Sequence, residues 1–385
     1  MGFGIGILWA AFLTTAVVLR AGSVSGPLHL APPHADPALT PPGLVVQPPD
    51  QSYDGEFFYR MSVAPFSTEQ WENGVRFDDA ALRWSRIVYP SIAFALSFGN
   101  ESLAPLALLV TNVIAAGFVA AAGVSLAKRF GRPWFHGLVL LMLPGVTYAL
   151  TGALSDAVAI ALVATALSCV IVKRPVAASA LLAGAALTRE STLMVAVGLV
   201  VAGALPVRFL PVWAEDSVRD RARVAAPGLV ALVAAGCWQL VIRAVWGNVG
   251  AANSGGHNFT FPFGTYLSDP SVLVPSDGFA ALRVFVVLLS LVTVILVLLT
   301  KPWTSRTTAF LIPAIFIAAI AASSLGPVIV ANFRNLGRAT TEVVLLSTVA
   351  ALGMKRAAAA NWAIVALAVG GGVIALWDIW ATTPL

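Results

Sequence analysis

Residues 103–126 read LAPLALLVTNVIAAGFVAAAGVSL, an apolar run without a single charged side chain. As a helix it would be about 36 Å long, enough to cross the roughly 30 Å hydrocarbon core of a bilayer. The whole chain shares this character: it is 58% hydrophobic and 11% charged, with a mean hydropathy of +0.87. A water-soluble domain of this size would expose large apolar patches. The sequence therefore predicts an all-α polytopic membrane protein.

Charge and hydropathy together predict one transmembrane domain over residues 1–385. About eleven transmembrane helices are expected, near residues 3–19, 103–126, 134–150, 156–172, 176–188, 191–206, 226–246, 281–300, 307–324, 341–353 and 358–380. One set of basic residues in the turns between them falls on a single face, which the positive-inside rule makes cytoplasmic. The set is Lys128, Arg129, Arg132, Lys173, Arg174, Arg208, Arg219, Arg221, Arg223, Lys301, Arg306, Lys355 and Arg356. Residues 21–102 then form a long first extracytoplasmic loop, and residues 247–280 form a second. We expect a bacterial cytoplasmic membrane protein whose amino-terminal helix is retained.

Several functional classes are disfavoured by the sequence. The net charge of +5 comes from basic residues dispersed over short cytoplasmic turns, which offers no case for a nucleic-acid partner. Cys169 and Cys237 lie inside predicted helices and imply no disulfide. Walker, dinucleotide-binding and HExxH motifs are missing from the sequence. No cofactor is predicted, and the scattered acids leave a divalent metal open.

The first loop contains the strongest candidate site, YDGEFFYR at residues 53–60. Its acids, Asp54 and Glu56, lie among aromatic residues that include Tyr53 and Tyr59. The spacing predicts a short interfacial helix from 54 to 63 with its aromatic rings toward lipid, the alternative being an ordinary loop with aromatic anchors. An extended Pro-rich run precedes it at residues 27–49.

A second segment of the same loop, LRWSRIVYPSIAFALSFG at residues 82–99, contains a short apolar run. It is too short to span a bilayer and predicts a shallow or re-entrant helix. Arg83, Arg86 and Tyr89 precede or begin this run, where they support the loop or contact substrate.

Charged residues also interrupt the apolar pattern further along the chain. Asp156 begins a predicted helix and is either an N-terminal cap or a site residue. Arg189 and Glu190 separate two short helices and face a cavity, or else form a structural ion pair with each other or with Asp156. Ionisable groups at such depth are costly unless they are paired or functional.

Two further candidates lie in later segments predicted to be extracytoplasmic. Arg334 and Arg338 share a face if their segment is helical, and their guanidinium forks suit phosphate, with lipid headgroups as the alternative ligand. His257 lies in the second loop, where it either touches substrate or is simply solvated.

External carboxylates beside arginines suit glycosyl transfer from a lipid phosphate donor. A carboxylate near the anomeric carbon would take the proton of the acceptor hydroxyl, and arginines would offset charge on the departing phosphate. A transporter or flippase for a lipid-linked sugar would use the same arginines without bond making. A non-catalytic subunit in cell-envelope assembly is the third possibility.

The motifs YDGEFFYRMSVAPF and FDDAALRWSRIVYP, together with ALTRES at residues 186–191, resemble the GT-C superfamily of integral membrane glycosyltransferases. More narrowly, they are similar to a bacterial group with a pattern close to DGQFYY followed by RYQRILYP. Two departures stand out, because Glu56 occupies the position of a usual Gln and Leu82 that of a frequent Tyr.

The resemblance implies inverting transfer from a polyprenyl-phosphate-linked sugar to a glycan, lipid or protein acceptor, with membrane lipids around the enzyme. Asp54 would be the base, supported by Glu56 or Asp156. Phosphate would be held by Arg189, Arg334 and Arg338. The expected substrate-binding residues are Tyr53, Tyr59, Arg83, Arg86, Tyr89, Arg189, Glu190, His257, Arg334 and Arg338.

Overall fold

The structure is a computed structural model that describes residues 1–205, 217–249, 260, 262–269, 309–326, 329–330, 333–353, 369–370 and 372–373. Within these ranges the chain is all-helical and forms two isolated β-bridges, Ala35 with Val75 and Glu72 with Val75. The α-helices are α1 Gly2–Ala21, α2 Gly55–Val63, α3 Ala80–Trp84, α4 Val88–Ser97, α5 Ala104–Arg129, α6 Pro144–Gly152, α7 Asp156–Ile171, α8 Pro175–Ala186, α9 Leu193–Ala204, α10 Val218–Trp246, α11 Gly264–Ser268, α12 Ile312–Ser323, α13 Phe333–Ala339 and α14 Thr341–Leu352.

Three of the described helices, α1, α5 and α10, are long and apolar enough to cross a membrane. A fourth candidate is the pair formed by the 3-10 segment Trp134–Met142 and α6, which is bent by 56°. Pro144 has no N–H to donate at this junction, which favours the break in what the sequence predicts as one span. The remaining apolar helices are shorter, and the count of about eleven is not confirmed. The span predicted at 281–300, and most of the one at 358–380, lie outside the described residues.

Helices α1 and α5 pack closely because small residues line their contact. A Cβ added at Gly6 would lie 2.6 Å from the carbonyl oxygen of Ala116 and 2.8 Å from the Cβ of Ala120. Small residues let helix backbones approach in this way, which favours association where lipid removes the hydrophobic drive. This contact anchors α1, and the polar loop after it, to α5.

Helix α2 is buried, which corrects the expectation that its aromatic rings face lipid. Phe57, Phe58 and Met61 are almost fully buried, and α2 packs against α4 and α5. Phe58 meets the ring of Tyr89 on α4 edge to face at 5.1 Å. The short helix predicted within residues 82–99 is present as α4 and ends in left-handed residues at Phe98 and Gly99. This part of the first loop thus packs against α5, with its aromatic residues in the protein core.

Helices α8 and α9 form the expected short hairpin. Between them the chain leaves the helix, with Arg189 extended at φ −159° and a 3-10 turn at Glu190–Thr192. Helix α10 packs along both arms, and its Trp238 side chain donates a 2.7 Å hydrogen bond to the carbonyl of Trp84 on α3. The hairpin apex therefore lies beside the segment that carries Arg83 and Arg86.

Candidate functional site

Asp54 sits at the N-cap of α2, and its position is fixed by a close backbone approach at Gly55. A Cβ at Gly55 would lie 2.7 Å from the carbonyl oxygen of Leu28 and 2.8 Å from that of Gly152. A larger residue would push α2 away from α6. Glycine at this position therefore places Asp54 near the α6–α7 junction.

Three arginines from distant segments converge on the Asp54 carboxylate. Arg83 Nη1 donates to Oδ1 at 2.7 Å, while Arg338 Nη1 and Arg86 Nη1 donate to Oδ2 at 2.8 and 3.2 Å. Burial alone would raise the pKa of Asp54, but Arg83, Arg338 and Arg86 outweigh it and hold this pKa well below its usual range. Asp54 is ionised at neutral pH.

A second acid, Asp156, lies deeper and shares Arg338 with Asp54. Arg338 Nη2 lies 3.0 Å from Asp156 Oδ2, its Nε donates to both carboxylate oxygens, and Arg189 Nη1 donates to Oδ1. Asp156 is fully buried. It begins α7, as predicted, but Ser155 makes no side-chain capping bond there. The expected structural pairing of Arg189 with Asp156 is present.

The ion pairs extend outward from these two acids. Arg83 donates two hydrogen bonds of 2.8 and 2.6 Å to the Asp78 carboxylate. Arg86 donates two hydrogen bonds to the Glu190 carboxylate in the same bidentate way. Arg189 Nε lies 3.8 Å from Glu342, which also accepts a hydrogen bond from Ser191. We call the whole set the charge network, and it comprises Asp54, Asp78, Arg83, Arg86, Asp156, Arg189, Glu190, Arg338 and Glu342.

Two aromatic residues of the motif contact the charge network: the ring centre of Phe57 lies 4.1 Å from the guanidinium carbon of Arg83, and Tyr53 makes hydrogen bonds. Its hydroxyl accepts from Arg338 Nη1 at 3.1 Å and donates to Asn335 Oδ1 at 2.8 Å. Tyr59 and Tyr89 are fully buried instead, and the Tyr89 hydroxyl bonds with Asn112 and the carbonyl of Leu108. The structure does not bring these two tyrosines to Asp54.

Glu56 makes its hydrogen bonds to a hydroxyl and a backbone amide rather than to the arginines. Ser52 Oγ donates to its Oε1 at 2.5 Å, and the Ala31 N–H donates to its Oε2 at 3.1 Å. Burial raises the pKa of Glu56 to about 7, although both hydrogen bonds oppose the rise. The structure thus separates Glu56 from the network that holds Asp54.

Two sequence candidates cannot be placed. His257 lies outside the described residues, and so does the side chain of Arg334, although its backbone belongs to α13. The helical spacing expected around Arg334 and Arg338 is present in the backbone.

Three site residues escaped sequence reasoning. Glu342 could have been found, because a lone acid at the start of an apolar span is costly without a partner. Asp78 lies in the first loop, where one acid among several gave no distinguishing signal. Asn335 has no such signal, because an amide near Arg338 is unremarkable in sequence.

An anion from outside can bind the arginines of the charge network if it displaces the carboxylates that now pair with them. Asp156 and Glu342 are covered, whereas the Glu190 side chain is 42% exposed and that of Asp54 17%. An incoming phosphate would therefore meet Arg86 from the Glu190 side. Within the described ranges, no group of three or more His, Cys, Asp or Glu residues could hold a metal ion.

No family model matches this chain, and neither a curated protein nor a solved structure matches it.

Proposed function

We propose that this protein is an inverting glycosyltransferase that uses a polyprenyl-phosphate-linked sugar. The observation that carries the proposal is the convergence of Arg83, Arg86 and Arg338 on the Asp54 carboxylate at 2.7 to 3.2 Å. These guanidinium groups suit the two oxygens of a phosphate as well as they suit a carboxylate.

Asp54 must become basic for this reaction, and donor binding supplies the means. A phosphate that competes for Arg86 and Arg338 weakens their hold on Asp54. The pKa of Asp54 then rises toward the range in which a carboxylate accepts a proton effectively. Binding of the donor thus activates Asp54 as the base for the acceptor hydroxyl that attacks this donor.

The acceptor oxygen attacks the anomeric carbon from the face opposite the phosphate, and Asp54 takes the hydroxyl proton. The bond between the anomeric carbon and the phosphate oxygen breaks, and its electron pair leaves with the polyprenyl phosphate. Arg86, Arg338 and Arg189 offset the charge on that leaving group. Asp156 keeps two of these arginines in position.

The proposed location is the extracytoplasmic face of a bacterial cytoplasmic membrane. Asp156 begins α7, whereas Lys173 and Arg174 follow its other end, about 24 Å away along a 16-residue helix. Lys128 and Arg129 end α5 in the same manner. The acid-rich site and the basic ends thus occupy opposite ends of the bundle, which supports an outward-facing site.

The test is transfer of labelled sugar by the purified full chain in detergent, where no transport is possible. We expect labelled product from a polyprenyl-phosphate sugar and a suitable acceptor mixture. Movement of the donor across vesicles, without any transfer in detergent, would favour the flippase instead. Absence of both transfer and transport in the native chain, with substitution of the network acids costing only stability or partner binding, would favour a non-catalytic subunit.

A further inference from the structure

An open cleft of about 550 Å³ lies beside the charge network and is not used by the phosphate chemistry above. Its lining includes His34, Glu69, Arg76, Phe77, Asp78 and Trp246. The residues come from the polar loop and from the end of α10. This volume is within the range of ligand sites for molecules of several rings.

The cleft connects directly with the proposed base. Asp78 lines the cleft and accepts two hydrogen bonds from Arg83, whose third nitrogen holds Asp54 at 2.7 Å. One guanidinium group therefore separates the floor of the cleft from the Asp54 carboxylate. The Asp78 end of the cleft is thus linked to the proposed base through Arg83.

The cleft wall is tied to the helix that carries the base. Arg60 on α2 is fully buried and donates to the carbonyls of Glu69, Gln70 and Val75. Its guanidinium carbon also lies 4.0 Å from the ring centre of Phe77. The wall therefore keeps a fixed distance from Asp54, which positions a ligand for reaction.

The lining chemistry suits an uncharged, hydroxyl-rich ligand. Trp246 and Phe77 meet edge to face at 6.4 Å and offer apolar ring surface, while Glu69 and Asp78 offer hydrogen-bond acceptors. Arg76 is already engaged, because its Nε donates to the Pro33 carbonyl and its guanidinium lies over Trp71. A phosphate in the cleft would be repelled by Glu69 and Asp78, and Arg76 is already engaged elsewhere. The lining therefore disfavours an anion.

Two lining residues also retain unused hydrogen-bonding atoms. The Nδ1 of His34 and the indole nitrogen of Trp246 are buried and have no hydrogen-bond partner in the described part of the chain. Burial lowers the pKa of His34, Arg76 and Arg83 lower it further, and Asp78 acts against them. His34 is therefore a neutral imidazole at pH 7, able to pair with a hydroxyl.

We propose that this cleft is the acceptor subsite and that the acceptor is an uncharged glycan. Ring faces pack against Trp246 and Phe77, and hydroxyls bond with Glu69, Asp78 and His34. The attacking hydroxyl lies at the Asp78 end. This inference rests on the proposed glycosyl transfer for its meaning, but the binding it requires can be measured separately.

The test uses the purified full chain in detergent and an array of neutral and acidic oligosaccharides. Thr68→Trp fills the cleft from its exposed edge, where Thr68 is a lining residue. Ala38→Trp places the same bulk on an exposed loop position away from the lining. We expect neutral glycans to bind, also in about 1 M NaCl where charges are screened beyond roughly 3 Å. Binding should weaken at least about tenfold in Thr68→Trp and stay within about twofold in Ala38→Trp.

Binding by acidic glycans alone, by none of the array, or equally by both variants would overturn the subsite. Transfer assays separate this failure from failure of the proposed function. Transfer with an unchanged acceptor KM in Thr68→Trp would remove the cleft and keep the transferase. Cleft-dependent glycan binding without transfer from any polyprenyl-phosphate sugar would keep the cleft and remove the transferase.

Discussion

Asp54 and Glu56 are two residues apart, yet the fold gives them opposite environments. Asp54 is held by three arginines that lower its pKa well below its usual range, whereas Glu56 meets only a hydroxyl and an amide while burial raises its pKa to about 7. Acids whose environments drive their pKa values apart commonly take different roles. In the proposed reaction Asp54 is the reacting group, and Glu56 is a structural one.

The bacterial group that the motif at residues 53–60 is proposed to resemble has Gln at the position of Glu56, and the structure gives this difference a physical account. A protonated Glu has the shape and the neutrality of Gln, and an amide could accept from Ala31 while donating to Ser52 Oγ. The position demands a neutral side chain that links residues 31 and 52, and either residue meets that demand.

The largest expected effect comes from removing Asp156, the buried acid that pairs with both Arg189 and Arg338. Asp156→Asn should lower the free energy of unfolding by about 3–5 kcal/mol, because it leaves Arg189 and Arg338 buried with too little negative charge. Thermal unfolding in detergent measures this. Asp36→Asn, at a largely solvated carboxylate, is the control. An unchanged melting temperature for Asp156→Asn would show that the arginines do not depend on Asp156.

Replacing the guanidinium group of Arg338 by the amine of lysine should reduce transfer activity more than it reduces the free energy of unfolding. Lysine keeps the charge but cannot donate to Asp156, Asp54 and Tyr53 together. Transfer by Arg338→Lys should fall about 10²–10³-fold, the range for loss of a preorganised donor. The control is Arg129→Lys, at an exposed arginine on α5. Full transfer by Arg338→Lys would mean that point charge alone is sufficient.

Glu56 should make stability depend on pH. Because its folded pKa of about 7 exceeds the ordinary glutamate pKa of 4.5, its contribution is fully present below the unfolded pKa. That contribution is lost as the pH rises through about 7, and it amounts to no more than about 3 kcal/mol. Glu56→Gln should therefore match the native chain near pH 4.5 and melt at a higher temperature near pH 8. Parallel melting curves at every pH would refute the neutral state of Glu56.

Ser52 should give the smallest effect. Its hydrogen bond lowers the pKa of Glu56, so Ser52→Ala should raise that pKa further, by less than about one unit. The midpoint of the pH-dependent melting difference between the Ser52→Ala and Ser52→Ala/Glu56→Gln chains reports the shift. Ser102→Ala, on an exposed turn, should leave the midpoint in place. A midpoint that falls would contradict the assigned hydrogen bond.

The sequence predicted the helical class and much of the site, because charge in an apolar chain is conspicuous. Asp54, Arg83, Arg86, Asp156, Arg189, Glu190 and Arg338 stand out for that reason, and the structure brings them together. Helix breaks were harder to see. The bend at Pro144 and the inward packing of α2 depend on neighbours that local hydropathy does not report.

The same limit explains the residues that were missed or misplaced. Glu342 begins a predicted apolar helix, where the ordinary role of an acid near a helix N-terminus competes with the signal of an unpaired acid in an apolar span. Glu56 belongs to the same motif as Asp54. The two acids differ in the direction of their side chains, which is defined only once α2 packs against its neighbours. Convergence of segments nearly 300 positions apart is a tertiary property that no local pattern contains.

The central claim is that Asp54 reacts while Glu56 supports the fold, and paired transfer rates test it most directly. Initial rates of Asp54→Asn and Glu56→Gln would be compared in detergent near pH 6.5, at matched amounts of folded protein. We predict that Asp54→Asn loses about 10³-fold or more in transfer and that Glu56→Gln stays within about twofold. Retained transfer in Asp54→Asn, or an equal loss in both variants, would contradict the account.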